Sequence, residues 1–533
     1  MRRRIYVVFG LVSLALTSAA PVSAQPAFVN GIVIPGSRLD ATRQPGANGG
    51  RFGFFSDIYY DPSTDEWWAL SDRGPGGGLI SYGTRVQRFS LDINPFTGAI
   101  SHFRVVETVK FTDPKGLLTG TSKAMNGLNP LDLNGFEGTL GRSFDPEGLA
   151  IDPRTGNFLV ADEYGPSLYV FDRKGRLVKV FDTPANLIPR VGGNVNYVAL
   201  RDACGGTVPV PLCGANEGRQ DNRGFEGLAV SPDGSRLFAV LQDPLINEPG
   251  PNNGRTGRNA RIIVFDNDRH SPTYGESLVQ YVYQLEPQAD VAARINALKP
   301  GDATATDPRQ GRNIGVSAIH AINDTQFLIL ERDNRGIGVD DPAGARAVGS
   351  KRVYKIDISA ATDVTTISLG ADALPAGVAA VTKSPVFIDI SAHTSLPGAK
   401  QAEKWEGLAI GPQLWGGRRL ILLGNDNDYS VTQTGEGEQF DVYVDFAGNF
   451  ARCVLDDQTR CEINPPTDDL VIDNPVPLPP KFSLLPGVLH AYRASRADLA
   501  GYEEPRKRKG DHGDDDNHHG DHDDDHSDGH GGH

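Results

Sequence analysis

After residue 24 the chain has no apolar run approaching the roughly 20 residues that a membrane-spanning helix needs. It also lacks a sustained basic patch, which excludes the usual electrostatic footprint of a nucleic-acid binder. No Gly-x-Ser-x-Gly elbow occurs. "GPSLYV" (Gly165–Val170) and "GVSAIH" (Gly315–His320) carry the serine without the second glycine, so an α/β-hydrolase nucleophile is not expected. Cysteine is scarce, with four in 533 residues, and neither close pair has Cys-x-x-Cys spacing, which argues against a thiolate metal site.

What is present points to many short strands. There are 62 glycines and 37 prolines, residues that punctuate turns, and the 39% hydrophobic content is enough for a sizeable core. The first 24 residues read as a signal peptide: Arg2, Arg3 and Arg4, a short apolar run over Val7–Leu16, then Val22, Ser23 and Ala24 before cleavage. An uncleaved N-terminal anchor is the alternative. The expected product is exported, periplasmic or extracellular, with no membrane span after cleavage. In that setting two local disulfides are expected, one between Cys204 and Cys213 and one between Cys453 and Cys461.

One phrase is written three times: "DPEGLAI" (Asp145–Ile151), "GFEGLAV" (Gly224–Val230) and "KWEGLAI" (Lys404–Ile410). Each opens a strand, turn, strand unit that ends in acids, as in "EGLAIDPRTGNFLVADEY" (Glu147–Tyr164). The turns carry Asp-Pro, Pro-Asp-Gly or Gly-Gly, which are hairpin signals. Two looser copies, Ser56–Gly74 and Val316–Asn334, complete a series with starts about 80–90 residues apart. Further strands follow most hairpins. Four-stranded modules repeated in this way predict an all-β fold, a β-propeller of antiparallel sheets over residues 25–505. Six blades are expected, with five or seven as alternatives. The sixth blade would form where Ala27–Ile34 meets Val488–Arg493, the two termini closing the ring. The modules exceed a usual propeller repeat, and the excess lies in four loops: Asp113–Arg142, Val191–Arg223, Pro244–Asn259 and Asp333–Gly349.

In a propeller the first strand of each blade lines the central channel, so Glu147, Glu226 and Glu406 should collect at one mouth. At about 7 Å and an effective dielectric near 20, each pair of carboxylates repels by roughly 2.4 kcal/mol. Such a group must take up protons, recruit basic side chains or bind a cation. Only oxygen donors recur, which suits a hard ion such as Ca²⁺. Asp162, Glu163, Asp243 and Asp426, at second-strand ends, are further candidate ligands. The competing role for the glutamates is structural: each accepts backbone N–H bonds and pins the start of its blade.

Segments such as "SFDPEGLAIDPRTGNFLVADEYGPSLYVFD", "NRGFEGLAVSPDGSRLFAVLQDPL" and "KWEGLAIGP" resemble the phytase-like family, described as "esterase-like activity of phytase". The resemblance covers about residues 28–495. It implies an exported propeller and, by similarity to calcium-dependent propeller phytases, hydrolysis of phosphoester or ester substrates. On that reading Glu147, Glu226 and Glu406 are the catalytic group. A cation they hold would polarise a phosphoryl oxygen and acidify a bound water. Arg73, Arg332, Arg335 and Tyr164 are candidate substrate contacts, the arginines through forked contacts to phosphate. Ion pairing within the protein is the alternative role for these arginines. His320 lies in an alternating strand and reads as a core residue. Two other functions fit the same repeat: a non-catalytic binding propeller with a structural cation, and a lactonase-like hydrolase.

The chain ends in a segment, 506–533, that begins Arg-Lys-Arg-Lys and then alternates Asp and His. From 511 onward it holds nine Asp, more than half of the net charge of −15, and seven of the twelve His. With no apolar residue after Gly510 it is expected to be disordered, and its imidazoles suit transition-metal capture.

Overall fold

The structure is a computed structural model. It describes residues 25–506 apart from 43–47, 49, 122, 134–136, 199–216, 249–256, 306–313, 371, 434–437 and 467–470. The signal segment and the Asp/His tail from 507 onward lie outside the described residues. So do Cys204 and Cys213, both within 199–216, and the disulfide expected between Cys204 and Cys213 is not among the described features. The other expected disulfide, Cys453 with Cys461, is formed.

Among the described residues five antiparallel sheets are arranged as blades, each with its first strand innermost. Blade one is Asp57–Asp61, Glu66–Leu70, Arg85–Ile93 and Ile100–Lys110. Blade two is Pro146–Ile151, Phe158–Asp162, Ser167–Phe171 and Leu177–Val180. Blade three is Phe225–Val230, Arg236–Leu241, Asn259–Asp266 and Ser277–Gln284. Blade four is Gly315–Ala321, Gln326–Arg332, Lys351–Asp357 and Thr382–Lys383, with Ile388–Asp389 also on its third strand. Blade five is Lys404–Gln413, Arg419–Asp426, Gly487–Ala494 and Ala27–Ile34. The five first strands touch in cyclic order: one to two, two to three, three to four, four to five and five to one.

The blade count therefore differs from the expected six. Ala27–Ile34 does pair with Gly487–Ala494, Ala27 opposite Arg493 and Ile34 opposite Gly487. The two strands fill the open edge of the Lys404–Asp426 hairpin and complete blade five instead of adding another. A separate four-stranded sheet, Phe440–Val444, Phe450–Val454, Asp457–Ile463 and Ser483–Leu484, is inserted between the second and third strands of blade five. The disulfide between Cys453 and Cys461 links two of its strands.

The repeated Glu-Gly-Leu-Ala now has a packing explanation. First strands are buried along their whole length in blades two and three, so they lack the polar alternation of half-exposed strands. Their backbones meet closely. A Cβ on Gly148 would lie 2.7 Å from the backbone N of Leu228, and one on Gly227 would lie 2.8 Å from that of Ile319. Leu149, Leu228 and Leu408 then pack in core clusters shared with neighbouring blades, and Ala150, Ala229 and Ala409 are buried beside them. In blade one the glycine position is taken by Asp57, whose carboxylate accepts the N–H of Leu149 in blade two at 2.8 Å and so ties the two blades together. Turns are formed as expected: Asp152 Oδ1 accepts the Arg154 N–H at 2.9 Å, and Gly234 adopts φ 75°, a left-handed value open to glycine at no steric cost.

Candidate functional site

The glutamates stand out from their ladders by one residue. In blade two Pro146 pairs with Asp162 and Gly148 with Ala161, so Glu147 is skipped. Glu226 is skipped between Phe225 and Gly227, and Glu406 between Trp405 and Gly407. A bulge of this kind leaves the extra residue unpaired and re-aims its side chain. Three different blades thereby send an acid out of the sheet at the same level.

These acids meet others. One oxygen each from Glu147, Glu163 and Glu226 lies within 4.8 Å of the other two. The same holds for Asp72, Asp145 and Glu147, and for Asp72, Asp426 and Asp428. All are buried, Asp145 at 0% exposure and Glu163 and Glu226 at 2%. At 4.8 Å and an effective dielectric near 20, each like-charged pair costs about 3.5 kcal/mol. Burial, reinforced by neighbouring acids, pushes Asp72 and Glu226 up to about 8 and Glu147, Glu163 and Asp426 well above the carboxylate range.

Basic side chains offset part of this charge. Arg332 donates to Glu406 and lies 3.5 Å from Glu226. Arg73 donates to Asp145 at 2.8 Å, to the Tyr164 hydroxyl at 3.2 Å and to Asn222. Lys404 pairs with Asp428, and Gln242 Nε2 donates to Glu226. Among the described residues, three oxygens of the first cluster nevertheless stay buried without a partner: Glu147 Oε2, Glu163 Oε1 and Glu226 Oε2. They offer only hard donors and fit a hard divalent cation.

The expected residues are distributed unevenly about this well. Glu147, Glu163, Glu226 and Glu406 are brought together, and Asp426 joins through Asp72. Asp162 faces the backbone: it accepts from the N–H groups of Asp145 and Tyr164, each at 3.1 Å, and from the Tyr169 hydroxyl at 3.0 Å. Burial holds its pKa at about 7. Asp243 lies 3.4 Å from Arg223. Arg73, Tyr164 and Arg332 border the acids. Arg335 instead donates to Thr304 and Ala347 and lies 3.6 Å from Asp302, none of which belongs to the well. His320 is a core residue tilted against Tyr59, and burial lowers its pKa to about 4.

Sequence reasoning missed Asp72, Asp145 and Asp428. Asp72 was findable. It follows the second strand of blade one in the place that Glu163 takes in blade two, Arg332 in blade four and Asp426 in blade five. Asp428 was not, because a left-handed turn carries it in: Asp428, Tyr429 and Ser430 have φ 50°, 55° and 61°.

A family model described as "Phytase-like: Esterase-like activity of phytase" matches residues 50–429. An uncharacterized secreted protein of Arthroderma benhamiae is 30% identical over 429 residues, covering 69% of this chain and 78% of its own. Among solved structures, the Pseudomonas aeruginosa periplasmic gluconolactonase is 11% identical, with 81% of this chain and 92% of that chain covered at a TM-score of 0.29. The Dos1 propeller is 8% identical, with 85% and 69% covered and a TM-score of 0.25. Streptogramin B lyase is 10% identical, with 87% and 99% covered and a TM-score of 0.26.

Proposed function

Because the chain belongs to the phytase-like family, "esterase-like activity of phytase", we propose that it is an exported hydrolase of phosphoester or ester substrates, with its reaction centre in the carboxylate well. The observation that carries this reading is the trio Glu147, Glu163 and Glu226, clustered, buried and each with an oxygen that has no partner among the described residues. A site that concentrates carboxylates at such electrostatic cost is where a function is expected. Export draws on the signal pattern in residues 1–24 and on the secreted relative.

Glu147, Glu163 and Glu226 would hold a hard cation, with Ca²⁺ the best match to an all-oxygen donor set, and Asp72 and Asp426 extend the donor set. When bound, such an ion supplies Lewis acidity and lowers the pKa of a coordinated water. The protein's own groups do the rest. Arg73, fixed by Asp145 and Tyr164, presents a guanidinium at the border of the well and suits an anionic oxygen. Arg332 restrains Glu406 and Glu226 and reduces the charge that a cation must neutralise. Asn222 and Arg223, from the long loop after blade two, contact Arg73 and Gln242 and shield the well from one side.

The test is turnover of a phosphomonoester and a carboxylester model substrate, with and without Ca²⁺ and chelator. Turnover should vanish with chelator and fall at least about 100-fold in Glu147→Gln, as expected for loss of an electrostatic catalytic group. Chelator-insensitive turnover would overturn the reading. The bridging of Glu406 and Glu226 by Arg332 favours a second reading, a binding propeller whose charges are balanced internally. That reading predicts no turnover of either substrate under any condition.

A further inference from the structure

The acid recurs in three of five blades, and the other two hold serine at the same place. In blade four the ladder pairs Val316 with Glu331 and Ala318 with Leu330, skipping Ser317 as the other blades skip their glutamates. In blade one the position before the first ladder pair, Asp57 with Leu70, belongs to Ser56. The first strand of blade four touches those of blades three and five, and that of blade one touches those of blades two and five. Each serine is therefore flanked on both sides by strands that carry the acid.

Both serines are fully buried, at 0% exposure, and among the described residues neither hydroxyl has a hydrogen-bond partner. A buried hydroxyl left unsatisfied costs about 1–3 kcal/mol. Such a cost recurs at two equivalent positions, in the ladder places that Glu147 and Glu226 take in their own blades, and those glutamates also keep an unpartnered oxygen among the described residues. In blade four Arg332 Nε is also buried and unpartnered, on the strand facing Ser317. Several buried polar atoms at equivalent ladder positions around one ring, with no protein partner among the described residues, is the pattern of a site that holds bound water. The serine side chain is also shorter than glutamate by two carbons, so it leaves room for one water where an acid would reach in.

We propose that Ser56 and Ser317 form the water-bearing side of the cation site, their hydroxyls anchoring waters that complete the ion's shell and stand ready for exchange. This rests on the reading that the well holds a hard cation. It adds that the ring of first-strand positions is asymmetric, with glutamates entering from blades two, three and five and serine-held, exchangeable waters entering at the first strands of blades one and four. Asp72 reaches the well only from the second strand of blade one.

Three measurements test it on the full chain. Ca²⁺ affinity is read by calorimetry, Tb³⁺ luminescence decay in H₂O and D₂O counts bound waters, and melting in chelator reports the ion-free fold. Wild type should bind Tb³⁺ with about two or more waters. Ser317→Ala should melt no lower than wild type in chelator, since it removes an unsatisfied hydroxyl, yet bind Ca²⁺ several-fold more weakly. Ser317→Asp and, independently, Ser56→Asp should each displace about one water and tighten Ca²⁺ binding by about 10-fold, because an added carboxylate raises affinity. A lower melting point of Ser317→Ala in chelator, or Asp variants with an unchanged water count, would overturn the inference and leave the cation reading standing. Failure of wild type to bind either ion would overturn both.

Discussion

Gly227 shows how little freedom a residue at the centre of the ring has. A Cβ there would meet backbone on the next blade at 2.8–3.0 Å, and backbone cannot step aside as a side chain can. Gly227→Ala should therefore destabilise the protein by about 1–3 kcal/mol, read as a lower urea midpoint with unchanged slope. Of the repeated phrase, the glutamate was legible in the sequence because it recurs beside an apolar strand. The reason for the glycine was not, because it lies on a different blade. His320 supports a second prediction at this scale. Burial lowers its pKa to about 4, against about 6.5 in an unfolded chain. Between those values the unfolded state binds the proton and the folded state does not, so the histidine's contribution is lost as pH falls from about 6.5 toward about 4. Asp72, Glu147, Glu163, Glu226 and Asp426, with raised pKa values, act in the opposite direction, so the comparison must be with a variant. The stability gap between wild type and His320→Asn should narrow by about 2 kcal/mol from pH 7 to pH 5. A gap that does not change with pH would refute the assignment.

At the scale of elements, the inserted sheet supports the well without entering it. Asn427 Nδ2 and Ser430 Oγ both donate to the carbonyl of Leu485, at 2.8 Å each, next to the strand Ser483–Leu484. Those bonds hold a turn of three consecutive non-glycine residues at positive φ, a conformation that costs of order 1 kcal/mol per residue, and the turn presents Asp428 to Asp72 and Asp426. The bond between Cys453 and Cys461 secures the same insertion. Replacing both cysteines by serine should release about 2.5 kcal/mol of loop constraint. Limited proteolysis should then cut within 440–484 before any blade strand. Simultaneous cleavage throughout the chain would show that the insertion is not a separate unit. The hairpins of four modules could be read from Asp-Pro or Gly turns and that of blade four from Asn323-Asp324, but the insertion could not, because its strands share no phrase with the repeat. The terminal pairing of Ala27–Ile34 was also legible. Its placement in blade five was not, since counting modules does not reveal that the last hairpin has only two strands of its own.

For the molecule as a whole, charge in the well and cohesion of the ring are linked. Glu147, Glu226 and Glu406 sit on separate blades, so their repulsion acts across blade boundaries. A cation held among them would turn that repulsion into a tie. At free Ca²⁺ about 100-fold above its dissociation constant the stabilisation should reach about 2.7 kcal/mol, seen as a higher melting temperature than in chelator. Glu147→Gln and Glu226→Gln should raise the melting temperature in chelator while abolishing the response to Ca²⁺. An equal response to Ca²⁺ in wild type and in both variants would place the ion elsewhere.

Blade five draws its outermost strand from the start of the described chain and its third strand from near the end, with Ala27 facing Arg493. A ribosome releases those two segments far apart in time. Until the later one emerges, the hairpin Lys404–Asp426 has a raw edge and Ala27–Ile34 has nothing to bind, so the circle stays open for almost the entire passage. Closure of the circle is thus timed by the last strand to appear.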